Sequence, residues 1–208
     1  YHLEWFPKSG ARYVVEVALN KDVATLTLDT TGPGLHKRGY RKLAATAPIK
    51  ETLAAAMILL SRWHPDRPLL DPFCGSGTIP LEAALIGRNI APGLNRDFDA
   101  EHWQRVGARL WQQAREEARD LADFNRRLEI VGSDIDPDVL ELARYHARAA
   151  GLSGAVTFRQ QDVADLRVDE PYGYLITNPP YGQRLGEQEA VEALYRKLGR
   201  VARRLPGW

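Results

Sequence analysis

Two short segments hold most of the chemistry available to this sequence: Asp71-Pro72-Phe73-Cys74-Gly75-Ser76-Gly77-Thr78 and Asn178-Pro179-Pro180-Tyr181. In the first, Gly75 and Gly77 permit a sharp turn and a close ligand approach, because neither carries a Cβ. A phosphate-cradling P-loop needs Gly-Lys-Ser/Thr, but Gly77 is followed directly by Thr78. The dinucleotide fingerprint needs a third glycine three residues after the second, and Pro80 stands there. A carboxylate at Asp71 would repel a pyrophosphate and suits a cation instead. In the second segment the two prolines are stiff and lack N–H donors, so the Pro179 carbonyl is free to turn into a site. Asn178 adds a side-chain carbonyl. Two acceptors side by side can hold an –NH2 group, which is what methylation of an exocyclic base amine requires. That nitrogen's lone pair is delocalised into the ring, and gripping both N–H bonds favours a tetrahedral nitrogen with its lone pair aimed at the methyl. Tyr181 offers a ring on which an extruded base can stack, worth about 1–3 kcal/mol in single-strand binding systems.

These segments need strands and helices to position them. PLLD reads as a strand running into the glycine turn, and LEAALIG as its helix. LEIVGSD is a second strand, with PDVLELARYHARAAG as helix, Asp136 as N-cap and Gly151 as stop. AVTFRQQD and YGYLITN read as further strands, and EQEAVEALYRKLGRVARRL as a last helix. Alternation of this kind implies a Rossmann-like α/β fold, a mostly parallel sheet with helices on both faces. Asp134 and Asp162 then close two strands at the same edge as Asp71, the ligand crevice of an open α/β sheet. Asp134 is placed to accept from both ribose hydroxyls and Asp162 from an adenine amino group. S-adenosylmethionine, with its ammonium and sulfonium, meets these requirements together with Asp71.

Upstream, Pro48 is expected to open a helix, PIKETLAAAMILLSRW, and residues 11–29 to form a hairpin across Asn20-Lys21-Asp22. The insertion at 89–128 shows Trp103, Val106, Leu110, Ala114, Ala118 and Leu121 at helical spacing, a packing stripe. The expected organisation is a hairpin region at 1–31, a basic linker at 32–47 and a main domain at 48–208.

The 208 residues, 44% hydrophobic and 26% charged, suffice for one ordinary core and argue against disorder. A net charge of +1 does not mark a nucleic-acid binder, but its distribution is uneven. Lys37, Arg38, Arg41 and Lys42, with Tyr40 among them and no acid nearby, are candidate RNA phosphate contacts. Basic residues at 196–204 read as partners of a helix C-terminal dipole. The single cysteine, Cys74, excludes an internal disulfide and fits a reducing compartment. It reads as a small buried residue, because a nucleophile is not expected in a cofactor loop. Five scattered histidines lack metal-ligand spacing, so no metal is expected. With no membrane-length apolar run and no signal peptide, the expected location is the cytoplasm.

DPFCGSGTIPLEAA, GSDID and TNPPYGQRL together resemble the class I S-adenosylmethionine-dependent RNA guanine-N2 methyltransferases. GLHKRGYRKLAATAPIKETLAAAMI and IAPGLNRDFDAEHW are similar to the bacterial large-subunit ribosomal RNA enzymes within that family. NPPY alone is shared with DNA adenine-N6 methyltransferases. The resemblance implies S-adenosylmethionine as cofactor and RNA, 23S ribosomal RNA in particular, as partner. It implies a methionine-side pocket of Asp71, Phe73, Gly75, Ser76 and Gly77, with Pro48 and Glu51 lining it. Asp134 with Ile135 would take the ribose, Asp162 with Val163 the adenine, and Asn178, Pro179 and Tyr181 the target amine and base. The family carries an N-terminal THUMP RNA-binding domain, of which residues 1–31 resemble only the last hairpin. Its sheet also runs three strands beyond RRLPGW, so the chain is expected to be truncated at both ends. The implied reaction is direct in-line transfer, carried mainly by positioning and desolvation. Adenine-N6 methylation, guanine-N2 methylation of transfer RNA, and a non-catalytic cofactor- or RNA-binding module are the alternatives. Retention of Asn178 and Pro179 speaks for catalysis, since a binding module has no need of the acceptor pair.

Overall fold

Strand β1 (Val14–Asn20) and strand β2 (Val23–Asp29) pair antiparallel across Lys21 and Asp22. Both turn residues have positive φ, 47° and 59°, the mirror-type turn whose twist matches that of the strands. The computed structural model describes residues 10–41, 48–181, 188–205 and 207–208. After the hairpin come helix α1 (Glu51–Leu60), strand β3 (Leu69–Asp71), helix α2 (Thr78–Gly87) and helix α3 (Ala108–Asp120). Strand β4 (Ile130–Asp134), helix α4 (Pro137–Ala149), strand β5 (Thr157–Gln160), strand β6 (Tyr174–Leu175) and helix α5 (Gln188–Ala202) complete the order. Among the described residues no helix is long and apolar enough to cross a membrane.

The last four strands form a parallel sheet in the order β5-β4-β3-β6. Its two faces follow from alternation along each strand. Leu69, Ile130 and Ile176 join Ile58 of α1, Leu81 of α2 and Ala147 of α4 in one core. Their neighbours Leu70, Val131 and Leu175 pack on the other face against Leu166, Val201 and Leu205. The chain builds outward from β3 to β5, then crosses back to lay β6 on the far side of β3. That reversal is the topological switch point, where open α/β sheets bind ligands beyond their carboxyl ends.

Three expectations need correction. The helix after Pro48 begins only at Glu51, because Lys50 is still extended at φ −67°, ψ 139°. In the insertion, Trp103 and Val106 precede α3. The 3-10 turn Asp99–His102 runs out into extended backbone at Trp103, which breaks the helical register. Trp103 is buried by stacking on Tyr13 at 4.9 Å, whereas Leu110 and Leu121 are exposed and α3 has no buried residue. Third, the described part of the expected linker is docked on the main domain. The Arg96 guanidinium donates to the carbonyls of Thr31 (3.1 Å), Pro33 and Gly34 (2.9 Å). A guanidinium carries five donors, and this segment meets those of its two terminal nitrogens with backbone oxygens.

Candidate active site

The site assembles at the carboxyl edge of the sheet, starting from the tip of β3. Asp71 is 1% exposed, and its Oδ1 accepts both the Phe73 N–H (3.1 Å) and the Thr177 hydroxyl (2.6 Å). Burial pushes its carboxyl up to about 7, and the nearby Asp134 adds to the rise while the two hydrogen bonds oppose it. Asp71 was expected to meet a cation directly. In the fold it is enclosed, and donors within the chain take its Oδ1.

The loop's shape comes from its glycines. Gly75 has φ 49° and donates its N–H to Asp134 Oδ2 at 3.0 Å. Gly77, at φ 85°, is the N-cap of α2. A Cβ on Gly77 would stand 3.0 Å from the Phe158 ring and 3.1 Å from Ala143, whereas one on Gly75 would meet nothing within 4 Å. The open side of the loop is therefore at Gly75, where a ligand has room. Ser76 is buried, its carbonyl 3.1 Å from Nδ1 of the fully buried His146 on α4. His146 was missed because a lone histidine on an amphipathic helix gives no local signal.

The paired glycines give a stability prediction. Alanine at either position incurs about 1–2 kcal/mol of left-handed backbone strain. Gly77→Ala adds overpacking of about 1–3 kcal/mol against Phe158 and Ala143. Urea denaturation should therefore show Gly77→Ala less stable than Gly75→Ala by that further amount, and equal losses would refute the packing argument.

Asp134 ends β4, its Oδ1 accepting the Asp136 N–H at 3.1 Å as well. A carboxylate offers about four acceptor positions, so capacity remains for ribose hydroxyls. Ile135 beside it is exposed. Asp162 follows β5 and is already engaged: Oδ1 accepts the Ala164 N–H at 2.8 Å, and Lys197 of α5 pairs with the carboxylate at 2.9–3.0 Å. The Ala164 N–H and then Lys197 hold this carboxyl below the usual range. Lys197 was read from the sequence only as a dipole partner. Val163, next in the chain, is buried.

Asn178 and Pro179 follow β6 and are half-buried, and Tyr181 is 60% exposed. The segment is tied to β3 by the Ile176 N–H donated to the Leu70 carbonyl (3.0 Å) and by the Thr177–Asp71 bond. Cys74 is buried, and burial, with the charges of Asp71 and Asp134, pushes its thiol up and so disfavours the thiolate. Among the described residues no cluster of side chains could hold a metal ion.

The basic segment is turned inward. Arg38 pairs with Glu82 of α2 at 3.2 Å, and Tyr40 donates to the same carboxylate at 3.1 Å. Arg41 pairs with Glu51 at 3.4 Å and donates to the Thr78 hydroxyl at 2.5 Å, joining the first residues of α1 and α2. Glu51 and Glu82 are 2% and 1% exposed, and an unpaired charge that deep would cost several kcal/mol. Arg38 and Arg41 therefore serve the interior, a correction to their reading as phosphate contacts. Lys37 is exposed, Lys42 lies outside the described residues, and Pro48 is half-buried ahead of α1.

A parallel sheet with a glycine loop, an acidic strand tip and a second loop at its switch point defines a class I methyltransferase-type domain. More particularly, residues 38–207 match the family described as "RMKL-like, methyltransferase domain", and the chain belongs to that family. It is 50% identical over 205 residues to the Bacillus subtilis (strain 168) protein named "Putative RNA methyltransferase YpsC", covering 99% of this chain and 53% of that protein. The crystal structure of a protein described as a "predicted N6-adenine-specific DNA methylase" from Listeria monocytogenes str. 4b F2365 superimposes with a TM-score of 0.92 at 55% identity, over 96% of this chain and 53% of that one. The crystal structure described as "SMU.472, a putative methyltransferase complexed with SAH" matches with a TM-score of 0.90 at 48% identity, over 97% of this chain and 53% of that one. The chain thus spans about half the length of these relatives.

Proposed function

We propose that this chain is the methyl-transfer part of an RNA methyltransferase that modifies the N2 amine of a guanine, in 23S ribosomal RNA. Its cofactor is S-adenosylmethionine, whose demethylated product is bound in the 48% identical SMU.472 structure. The residues suit it: an open approach at Gly75, a tip carboxylate at Asp134 and the exposed Ile135 lie together at one sheet edge. When bound, S-adenosylmethionine supplies an electrophilic methyl group on a sulfonium. Gly75 leaves the backbone open to it, and Asp134 accepts from its ribose. The Asn178 side-chain carbonyl and the Pro179 carbonyl accept hydrogen bonds from the two amine N–H groups, and Tyr181 stacks on the base. Lys37 and Lys42 are the remaining candidates for phosphate contact.

The observation that supports this reading is the pairing of β6 with β3, continued by the Thr177–Asp71 hydrogen bond, so that the Asn178–Tyr181 segment leaves the sheet from the strand next to the one that leads into the glycine loop. The name of the Bacillus subtilis relative supports RNA as the substrate, and the similarity of GLHKRGYR and IAPGLNR to ribosomal RNA enzymes supports guanine. The test is to incubate the full-length protein with methyl-labelled S-adenosylmethionine and unmodified ribosomal RNA, then digest to nucleosides. Label in N2-methylguanosine is expected. Label in N6-methyladenosine, or only in transfer RNA or DNA, would establish an alternative substrate, and no label in any nucleic acid would overturn the reading.

A further inference from the structure

We propose that Thr177 is a positioning residue whose hydroxyl locks the amine-gripping segment to the cofactor loop through Asp71. This rests on the methyl-transfer reading above and adds a residue to it.

The β6 ladder is too short to hold the acceptors by itself. Its register covers only Tyr174 and Leu175, opposite Leu69 and Leu70. One more backbone bond, from Ile176 N–H to the Leu70 carbonyl, continues it, and the acceptors begin two residues later at Asn178. Thr177 fills the gap with a 2.6 Å hydrogen bond to Asp71 Oδ1. The same oxygen accepts the Phe73 N–H at 3.1 Å, so one atom ties both the cofactor loop and the lead-in to Asn178. That atom is well anchored: Asp71 is 1% exposed, and Pro72 after it is fully buried. A short hydrogen bond to a carboxylate is stronger than a neutral one when the acid is ionised. Direct transfer depends on the distance and alignment between amine nitrogen and methyl carbon, and a misplacement of about 1 Å can lower a rate about 100-fold. The hydroxyl removes that freedom, without touching substrate or cofactor.

The experiment compares Thr177→Val and Thr177→Ser in the full-length protein. It measures S-adenosylhomocysteine affinity by calorimetry, and kcat and KM for transfer to RNA. Valine keeps the shape and loses the donor. It should lower kcat by about 10- to 100-fold while KM and S-adenosylhomocysteine affinity stay within about twofold, and serine should restore most of the rate. An unimpaired Thr177→Val kcat in an active protein would overturn the positioning role alone. Loss of S-adenosylhomocysteine binding along with activity would also overturn it, because the hydroxyl would then hold the whole loop. A wild-type protein that binds S-adenosylhomocysteine but methylates no nucleic acid would overturn the methyl-transfer reading, and this role with it.

Discussion

Replacing Asn178 with alanine is expected to lower kcat for methyl transfer by about 10²–10³-fold while leaving cofactor affinity within about twofold. The reason lies in the nucleophile. An exocyclic base amine shares its lone pair with the ring, and the nitrogen must become tetrahedral before it can attack. Two acceptors placed on its two hydrogens favour that geometry in the transition state more than in the planar ground state, so their loss appears in kcat. Truncating Asn178 leaves the Pro179 carbonyl alone, and one acceptor cannot fix the direction of the lone pair. The Asn178 segment and the glycine loop follow neighbouring strands but are separate stretches of chain, which is why cofactor binding should survive. Single-turnover transfer from labelled cofactor, with calorimetric titration of S-adenosylhomocysteine on the same preparation, measures both quantities. Retained turnover would mean that the amine is held by other groups.

What the sequence made legible, and what it hid, is a matter of range. Asp136 was legible as a cap because its partner, the Asp138 N–H at 2.9 Å, lies two residues away. The strands were legible because Leu69 and Leu70, Ile130 and Val131, and Leu175 and Ile176 each send neighbours to opposite faces. Arg38 and Arg41 were misread because a window of like charges carries no information about distant acids. Arg38 finds Glu82 44 residues on, inside a helix whose apolar sequence hid the need for a cation. Arg41 likewise reaches forward to Glu51 and Thr78. Lys197 and Asp162, 35 residues apart, meet only because α5 packs beside the turn after β5. Thr177 is the extreme case, with its partner 106 residues earlier. Periodicity and local hydrogen bonding are written in neighbouring residues, while ion pairs across elements are fixed only once the sheet order is known.

That junction sets a second large effect, on stability. Asp71→Asn should flatten the pH dependence of folding between pH 5 and 8. The wild-type carboxyl titrates near 7 in the fold, because burial disfavours its charge, against 3.8 for the free side chain. Between those values the folded state keeps a proton that the unfolded chain has released. Stability therefore falls as pH rises through this window and levels off above 7. At about 1.4 kcal/mol per pH unit, the wild type should lose about 2–3 kcal/mol from pH 5 to 8 relative to the asparagine variant. Asparagine keeps a carbonyl oxygen for the Phe73 N–H and the Thr177 hydroxyl, so the loop retains both ties and only the titrating proton is removed. Urea denaturation of both proteins across the range tests this, and parallel profiles would show that Asp71 does not titrate there. A buried acid that costs stability at neutral pH has little value as packing, since asparagine would fill the space and keep an acceptor at lower cost. Its position explains it better. When ionised, its oxygen accepts the Phe73 N–H and the Thr177 hydroxyl more strongly than a neutral amide oxygen does, and at the tip of β3 those two bonds join the glycine loop to the strand end that leads into Asn178.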